Sequence, residues 1–369
     1  MERMTRVTVA IPQHPYDVLI ETGLLGRAGT HLREVWPEHK RVFVVTVPAA
    51  RRKWGKPLLA SLNAAGFKPV FLEMREGEKQ KRLGTVEMLA ERLVREGADR
   101  ASGIIAFGGG VVGDVSGFLA SIYMRGVEVV HVPTTVVAQL DASIGGKTGV
   151  NLRLGKNLIG TFHQPRAVLI DPAVLSTLPE RQFHSGLYEA LKSGVIGDPE
   201  LFRQFEDEKK KILERDAGVI ESVIRASVQL KAGIVAGDER ESGLRQVLNF
   251  GHTVGHALEA ETGYRRLLHG EAVAWGMIAA TNIALGMRKT DSVTAGRIAD
   301  AVLGLGPLPQ VAVRSRNIVA RLHSDKKTRN GIVHFILPRE VGKVEVVGGV
   351  PEKLVIAAVD ELRRLSQAH

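Results

Sequence analysis

An α/β domain followed by a mainly helical one is the fold class this sequence predicts, and three observations predict it. Short β-branched runs alternate with amphipathic stretches up to about residue 178. A glycine-rich turn separates one of those runs from a helix start. Beyond Pro179 the apolar spacing becomes almost wholly helical. The length of 369 residues favours two domains over one, and the change of character places them at 1–178 and 179–369.

In chain order, the strand-like runs of the first part are Arg41 to Val47, Gly103 to Phe107 and Glu128 to Val132, with a helical stretch at Thr85 to Arg95. Sequential strands separated by helices imply a mostly parallel sheet. In the second part, Glu200 to Leu213, Val219 to Val235, Gln246 to Glu261 and Glu271 to Met287 read as helices. Strand signals return only near Ile332 to Leu337 and Val344 to Val347.

Composition narrows the function. Hydrophobic residues make up 44% and charged residues 24%, the mixture of a folded globular chain. There is no cysteine, so a metal could be held only by His, Asp or Glu, and a reducing, cytoplasmic setting is expected. The N-terminal stretch has no apolar run long enough for a signal peptide, and the glycine-rich segment carries Asp114 where a membrane span would need carbon. The net charge of +10 is scattered, and aromatic residues are 5%, too few for a base-stacking platform. Single cations beside polar loops suit a phosphorylated or carboxylated small molecule instead of nucleic acid.

The run Gly103 to Phe107 leads into Gly108-Gly109-Gly110-Val111-Val112-Gly113-Asp114, which contains G-x-G-x-x-G. Glycines there let backbone N–H groups approach a pyrophosphate at a helix N-terminus, which would make the first domain Rossmann-like. The same pattern also serves as a plain strand-to-helix turn. Its layout is unusual, since the loop comes after a hundred residues and the acid about twenty residues on, Glu128, precedes its strand.

In the helical part, His252 and His256 stand at i and i+4 on one face, His269 opens the segment His269-Gly270-Glu271, and Glu189 lies on another helix. Two or three imidazoles with one carboxylate form a catalytic zinc-type donor set. Spacing alone leaves open which histidine is ligand and which is acid–base.

These segments, with Pro133-Thr134-Thr135, Gly145 to Asn151, Gly155 to Gly160 and Asn249 to Thr253, closely resemble the 3-dehydroquinate synthases. The resemblance runs from about Tyr16 to Asp325-Lys326-Lys327. It implies that Glu189, His252 and His269 bind Zn2+ or Co2+, with His256 left for proton transfer or phosphate contact. It implies an NAD site of Glu78, Lys81, Gly109, Gly110, Val111, Asp114, Thr134, Thr135, Asp141, Lys147, Lys156 and Thr177, with Glu76, Gly77 and Lys79 flanking it. Arg125, Lys147, Asn157 and Lys192 join His256 as catalytic positions, while Lys231, Arg245, Asn249 and Lys326 match substrate-binding ones.

The implied reaction turns 3-deoxy-D-arabino-heptulosonate 7-phosphate into 3-dehydroquinate and phosphate. It proceeds by transient oxidation with NAD, phosphate elimination, re-reduction and intramolecular aldol closure, a step of the shikimate pathway. The implied assembly is a homodimer in which Arg125 reaches a neighbouring site. Two positions depart from the pattern. Val47-Pro48 stands where an Asp would grip the adenosine ribose, and Tyr188 stands beside Glu189 where a small residue is expected, with Ser193 after Lys192. Another sugar-phosphate cyclase, an NAD- and metal-dependent polyol dehydrogenase and a non-catalytic binding protein are the competing readings. The dehydrogenase would not need the phosphate-binding cations, and the binding protein would not need Lys192.

Overall fold

β-Branched and aromatic residues with both faces buried, as in Val42 to Val45 and Ile104 to Phe107, cannot form edge strands and instead build the interior of a parallel sheet. The computed structural model describes residues 4–324 and 332–368. Its strands are β1 (Thr5–Val9), β2 (Tyr16–Ile20), β3 (Arg41–Thr46), β4 (Lys68–Glu73), β5 (Gly103–Gly108), β6 (Val129–Pro133), β7 (Lys147–Leu152), β8 (Gly155–Phe162), β9 (Ala167–Ile170), β10 (His334–Glu340) and β11 (Lys343–Gly348). The chain folds as two compact units, the first of residues 1–178 and 220–240 and the second of 179–219 and 241–369.

In the first unit one sheet runs β1-β2-β9-β6-β5-β3-β4. Only β1 pairs antiparallel; every other neighbour is parallel. From β3 the chain moves outward to β4, then returns to build β5 and β6 on the other side. The strand order therefore reverses between β3 and β5, and Gly109 follows β5 at that switch point, where doubly wound sheets bind ligands. The helix Leu83–Arg95 buries Val86, Leu89 and Leu93, a spacing that makes one apolar stripe. That stripe belongs to a core with Phe43, Val45, Leu72, Ile104, Val115 and Leu119. The hairpin β7–β8, with strand β8 largely exposed, is a separate two-stranded sheet.

His131 lies on β6, and burial lowers its pKa to about 4, with His163 adding to the shift. The folded chain thus keeps this imidazole neutral while the unfolded chain protonates it near 6.5. The depressed folded pKa means that stability is intact above about 6.5 and falls as pH drops toward 4, by up to about 3 kcal/mol. Urea unfolding at stepped pH should show this loss, and His131→Asn should flatten the slope over that window. An unchanged slope would exclude His131 as its source.

The second unit is helical around Glu180–Gly197 and His269–Gly286, whose facing sides are small or apolar. Two expected helices are broken. Gln246 to Glu261 is a 3-10 turn Leu244–Asn249 and a separate helix His252–Glu261, because Gly251 takes φ 78° and a Cβ there would stand 2.7 Å from the Val273 carbonyl. Glu200 to Leu213 splits at Glu208 into Pro199–Asp207 and Lys209–Leu213. Among the described residues, no helix is long and apolar enough to cross a membrane.

Candidate active site

The break at Gly251 starts a fresh helix at His252, and its 3.6-residue period brings His256 and Glu259 to the same side. The ring centroids of His252 and His256 are 5.2 Å apart, those of His252 and His269 5.2 Å, and those of His256 and His269 5.7 Å. The three imidazoles offer nitrogens within 4.8 Å of one another, close enough to share an ion. His269 opens its helix next to Gly270, where a Cβ would stand 1.7 Å from the Ser185 carbonyl oxygen. Only glycine allows the two long helices to approach so closely.

From the other long helix comes Glu189, fully buried, with Oε1 3.7 Å from His252 Nε2 and 3.3 Å from His269 Nε2. Lys192, one turn on and 3% exposed, places Nζ 2.5 Å from Oε2. Burial pushes the Glu189 carboxyl up, but Lys192 and the two histidines outweigh it and hold the group well below its ordinary range. Both oxygens nevertheless lack a well-aligned hydrogen bond among the described residues. An anionic carboxylate buried without hydrogen bonds and faced by imidazole nitrogens fits a divalent cation. This donor set of nitrogen and oxygen suits zinc or cobalt.

The tautomers agree with that fit. His252 Nδ1 lies 3.1 Å from the Phe250 carbonyl, so it donates there and leaves Nε2 with a lone pair toward Glu189. Burial, with Lys192 nearby, lowers the His252 pKa to about 3. His269 goes the other way. Burial opposes its charge, yet Glu189 and Glu259 raise its pKa to about 10.

Sequence reasoning does not reach Glu259. It is buried, and Oε2 stands 3.3 Å from His269 Nδ1, the position of a carboxylate that orients a liganding imidazole. The available signal is its place three residues after His256 on the histidine-bearing face. Glu259→Gln should weaken metal affinity about 10- to 100-fold while leaving the fold intact. Titration with zinc or cobalt checks this, and wild-type affinity would deny Glu259 the orienting role.

In the first unit, Gly109 precedes the helix Gly110–Ile122, and Val111 and Asp114 lie in its opening turns. A Cβ on Gly109 would stand 3.0 Å from Thr135 Cγ2, and one on Gly108 2.6 Å from Val112 Cγ2, so the backbone of this turn is bare. That is the cradle a pyrophosphate requires. The Thr134 amide donates to the Gly108 carbonyl at 2.9 Å, and Thr135 Oγ1 accepts from the Ala138 amide at 3.3 Å.

Behind the turn, Lys81 donates to both Asp114 and Asn157. Burial raises the Asp114 pKa against the pull of Lys81. Glu78 accepts from Asn151 Nδ2 at 2.7 Å and lies 3.9 Å from Lys156 Nζ. Lys231 donates to the Asp141 carboxylate and to its carbonyl.

Other residues singled out by sequence stand apart. Glu76 accepts from the Ala49 amide at 3.0 Å, placing a carboxylate at the helix start that follows Val47. Gly77, at φ 98°, makes the turn to Glu78, and Lys79 is exposed. Thr177 is engaged by Trp54 Nε1 on its hydroxyl at 2.9 Å and by Lys53 Nζ on its carbonyl at 2.6 Å. Arg125 lies in a left-handed turn with Met124 and Gly126 and shares no ion pair with the Lys81 group among the described residues. Lys147 is exposed at the start of β7. Arg245 is buried in the second unit, and Asn249 Nδ2 donates to Glu241 at 2.9 Å. Lys326 lies outside the described residues.

A parallel sheet with a glycine turn at its switch point, followed along the chain by a helical unit, places the chain in the fold class of solved cyclases that bind NAD+ and a divalent metal. A solved 2-epi-5-epi-valiolone synthase from Streptomyces hygroscopicus subsp. jinggangensis 5008, with NAD+ and Zn2+ bound, is 31% identical with a TM-score of 0.89, covering 96% of this chain and 99% of that one. A 2-deoxy-scyllo-inosose synthase complexed with carbaglucose-6-phosphate, NAD+ and Co2+ is 26% identical with a TM-score of 0.87, covering 97% and 99%. Within that class, the 3-dehydroquinate synthase N-terminal family matches residues 71–185 and the C-terminal family residues 186–328. A 3-dehydroquinate synthase from Koribacter versatilis (strain Ellin345) is 55% identical over 98% of this chain and 99% of its own length. One from Solibacter usitatus (strain Ellin6076) is 48% identical over 96% and 99%. The chain belongs to the 3-dehydroquinate synthase family.

Proposed function

We propose that this enzyme is a carbon–oxygen lyase that converts 3-deoxy-D-arabino-heptulosonate 7-phosphate to 3-dehydroquinate and phosphate. The observation that carries the reading is the buried Glu189 carboxylate, unsatisfied by hydrogen bonds and ringed by His252, His269 and Lys192. Glu189, His252 and His269 are the residues that would hold one zinc or cobalt ion. The glycine turn at Gly109 to Val111, with Glu78, Lys81, Asp114, Thr134, Thr135, Asp141 and Lys156, would hold NAD. When bound, the ion supplies Lewis acidity at a carbinol and NAD a reversible two-electron acceptor.

The chain's own residues do the rest. His256, beside the donor set and not needed to complete it, takes the role of general base at the C5 hydroxyl. Lys147, Asn157, Lys231, Arg245, Asn249 and Lys326 bind the phosphate, carboxylate and hydroxyls, where charge-assisted hydrogen bonds fix orientation. Arg125 joins them from a neighbouring protomer of a homodimer. Lys192 keeps Glu189 ionised and faces the reacting carbinol. Holding the two ends of an acyclic intermediate together favours the aldol closure over its escape. The absence of cysteine supports a cytoplasmic setting.

The test is to supply the heptulosonate phosphate with NAD and zinc or cobalt, and separately a simple polyol. Equal phosphate and 3-dehydroquinate from the first, and nothing from the second, is the expected outcome. NADH formation from the polyol without phosphate chemistry would instead assign a dehydrogenase.

A further inference from the structure

In a doubly wound sheet a dinucleotide lies across the carboxyl ends of neighbouring strands. The glycine turn after one strand takes the pyrophosphate, and an acid at the end of the next accepts hydrogen bonds from the adenosine ribose. Here the glycine turn follows β5, and the strand paired beside it is β3, with Thr46 opposite Phe107. Adjacent strands stand about 4.8 Å apart, so a group over the end of β3 faces the sugar next to the pyrophosphate. Val47-Pro48-Ala49 follows β3, and none of the three has an acceptor side chain. Val47 packs on the apolar core instead.

A carboxylate reaches this position from the next strand outward. The Met74 amide donates to the Thr46 carbonyl at 2.9 Å, extending the pairing of β3 with β4 by one residue, and Glu76 follows two residues on. Glu76 Oε1 accepts from the Ala49 amide at 3.0 Å, in the first turn of the helix Pro48–Ala64. Pro48 has no N–H, so this amide is the first donor of the helix, and the bond holds the carboxylate at the end of β3. Oε2 accepts from no described residue. The neighbouring carboxylates are committed, Glu73 to Arg51 Nη1 at 2.9 Å and Glu78 to Asn151 Nδ2 at 2.7 Å. Arg51 is also held over the Phe71 ring, 4.9 Å from its centroid. Arg52 and Arg75 are exposed and pair with neither Glu73 nor Glu76 among the described residues.

We propose that Glu76 is the specificity-determining acid for the cofactor. Through the oxygen that Ala49 leaves, it accepts from the adenosine ribose hydroxyls, and its charge repels a 2′-phosphate, so that NAD+ is selected over NADP+. The part usually played by an acid at the end of the strand beside the glycine turn is supplied here from the loop after β4. This rests on the reading of the glycine turn as the NAD site. A helix cap alone would serve stability, and experiment separates the two roles.

The zinc-loaded full chain, freed of excess metal, is titrated calorimetrically with NAD+, NADP+, ADP and 2′-deoxy-ADP, and each variant is also unfolded in urea. Wild type should bind NAD+ at least about tenfold more tightly than NADP+, and ADP about tenfold more tightly than its deoxy analogue, the effect of a hydrogen bond to a charged acceptor. In Glu76→Gln, whose amide oxygen can still accept from Ala49, both ratios should shrink to about threefold or less. Glu76→Ala should shrink them equally, which covers the case in which Gln keeps a neutral hydrogen bond to the ribose. Wild-type ratios in both variants, with only the urea midpoint shifted, would leave Glu76 a helix cap and overturn the proposal. NADP+ bound by wild type as tightly as NAD+, with Arg52 or Arg75 taking the phosphate, would overturn it too. Wild type that binds neither NAD+ nor ADP would overturn the NAD site itself and the proposal with it.

Discussion

Replacing Glu189 by Gln should abolish tight metal binding and, with it, turnover. The substitution keeps shape and removes only charge, so any loss reports on the carboxylate itself. Disturbing a group that merely orients a ligand costs about 10- to 100-fold in affinity, and removal of a direct ligand should exceed that. A second effect follows from burial. Lys192 is 3% exposed and pairs with Glu189 at 2.5 Å, so the variant removes that countercharge from beside an ammonium in the interior. The cost should be about 3–5 kcal/mol in the metal-free protein. Pairing Glu189→Gln with Lys192→Met should restore much of that stability but none of the metal binding. Zinc titration together with urea unfolding separates the two effects. Wild-type affinity in Glu189→Gln would remove it from the ligand set.

Gly270→Ala should be nearly as damaging, by a route that involves no charge. A Cβ there would lie 1.7 Å from the Ser185 carbonyl oxygen, far inside van der Waals contact, and the obstacle is backbone that no rotamer can move aside. The helices Glu180–Gly197 and His269–Gly286 would have to separate at the point where His269 meets Glu189. Overpacking of a rigid contact costs about 1–3 kcal/mol, and this case should lie at or above the upper end. Because the shift displaces a donor, metal affinity should fall together with thermal stability. Gly263→Ala makes a useful contrast: nothing lies within 4 Å of its Cβ, but its φ of +64° adds local strain without touching the donors. Loss of stability in both variants with metal affinity kept in Gly270→Ala would show that the helix contact does not position His269.

The parts of the fold legible in the sequence are those with a strong period. β3 and β5 are visible because both faces of each are buried, which leaves an uninterrupted β-branched run. The hairpin β7–β8 is not, since β8 is largely exposed and its Gly-Lys-Asn-Leu-Ile-Gly reads as a loop. The helix break at Gly251 is hidden because apolar spacing continues across it, while the cause is the close Val273 carbonyl, a contact distant in sequence.

Within the site, the i, i+4 spacing shows His252 and His256 on one face, and the structure brings their rings to 5.2 Å. Spacing cannot reach Glu259, whose partner His269 lies ten residues away across a turn. Nor can it show that Glu76 provides a carboxylate at the helix start where Val47 has none. Both depend on tertiary placement and not on periodicity.

The most direct measurement is the ratio of NADH to phosphate when the zinc- or cobalt-loaded protein turns over the heptulosonate phosphate with NAD held below the substrate concentration. An oxidation that is reversed before product leaves requires many phosphates and many molecules of 3-dehydroquinate per NAD, in equal amounts, with no NADH accumulating. Phosphate release that stops once NAD is consumed, with one NADH for each phosphate, would contradict it.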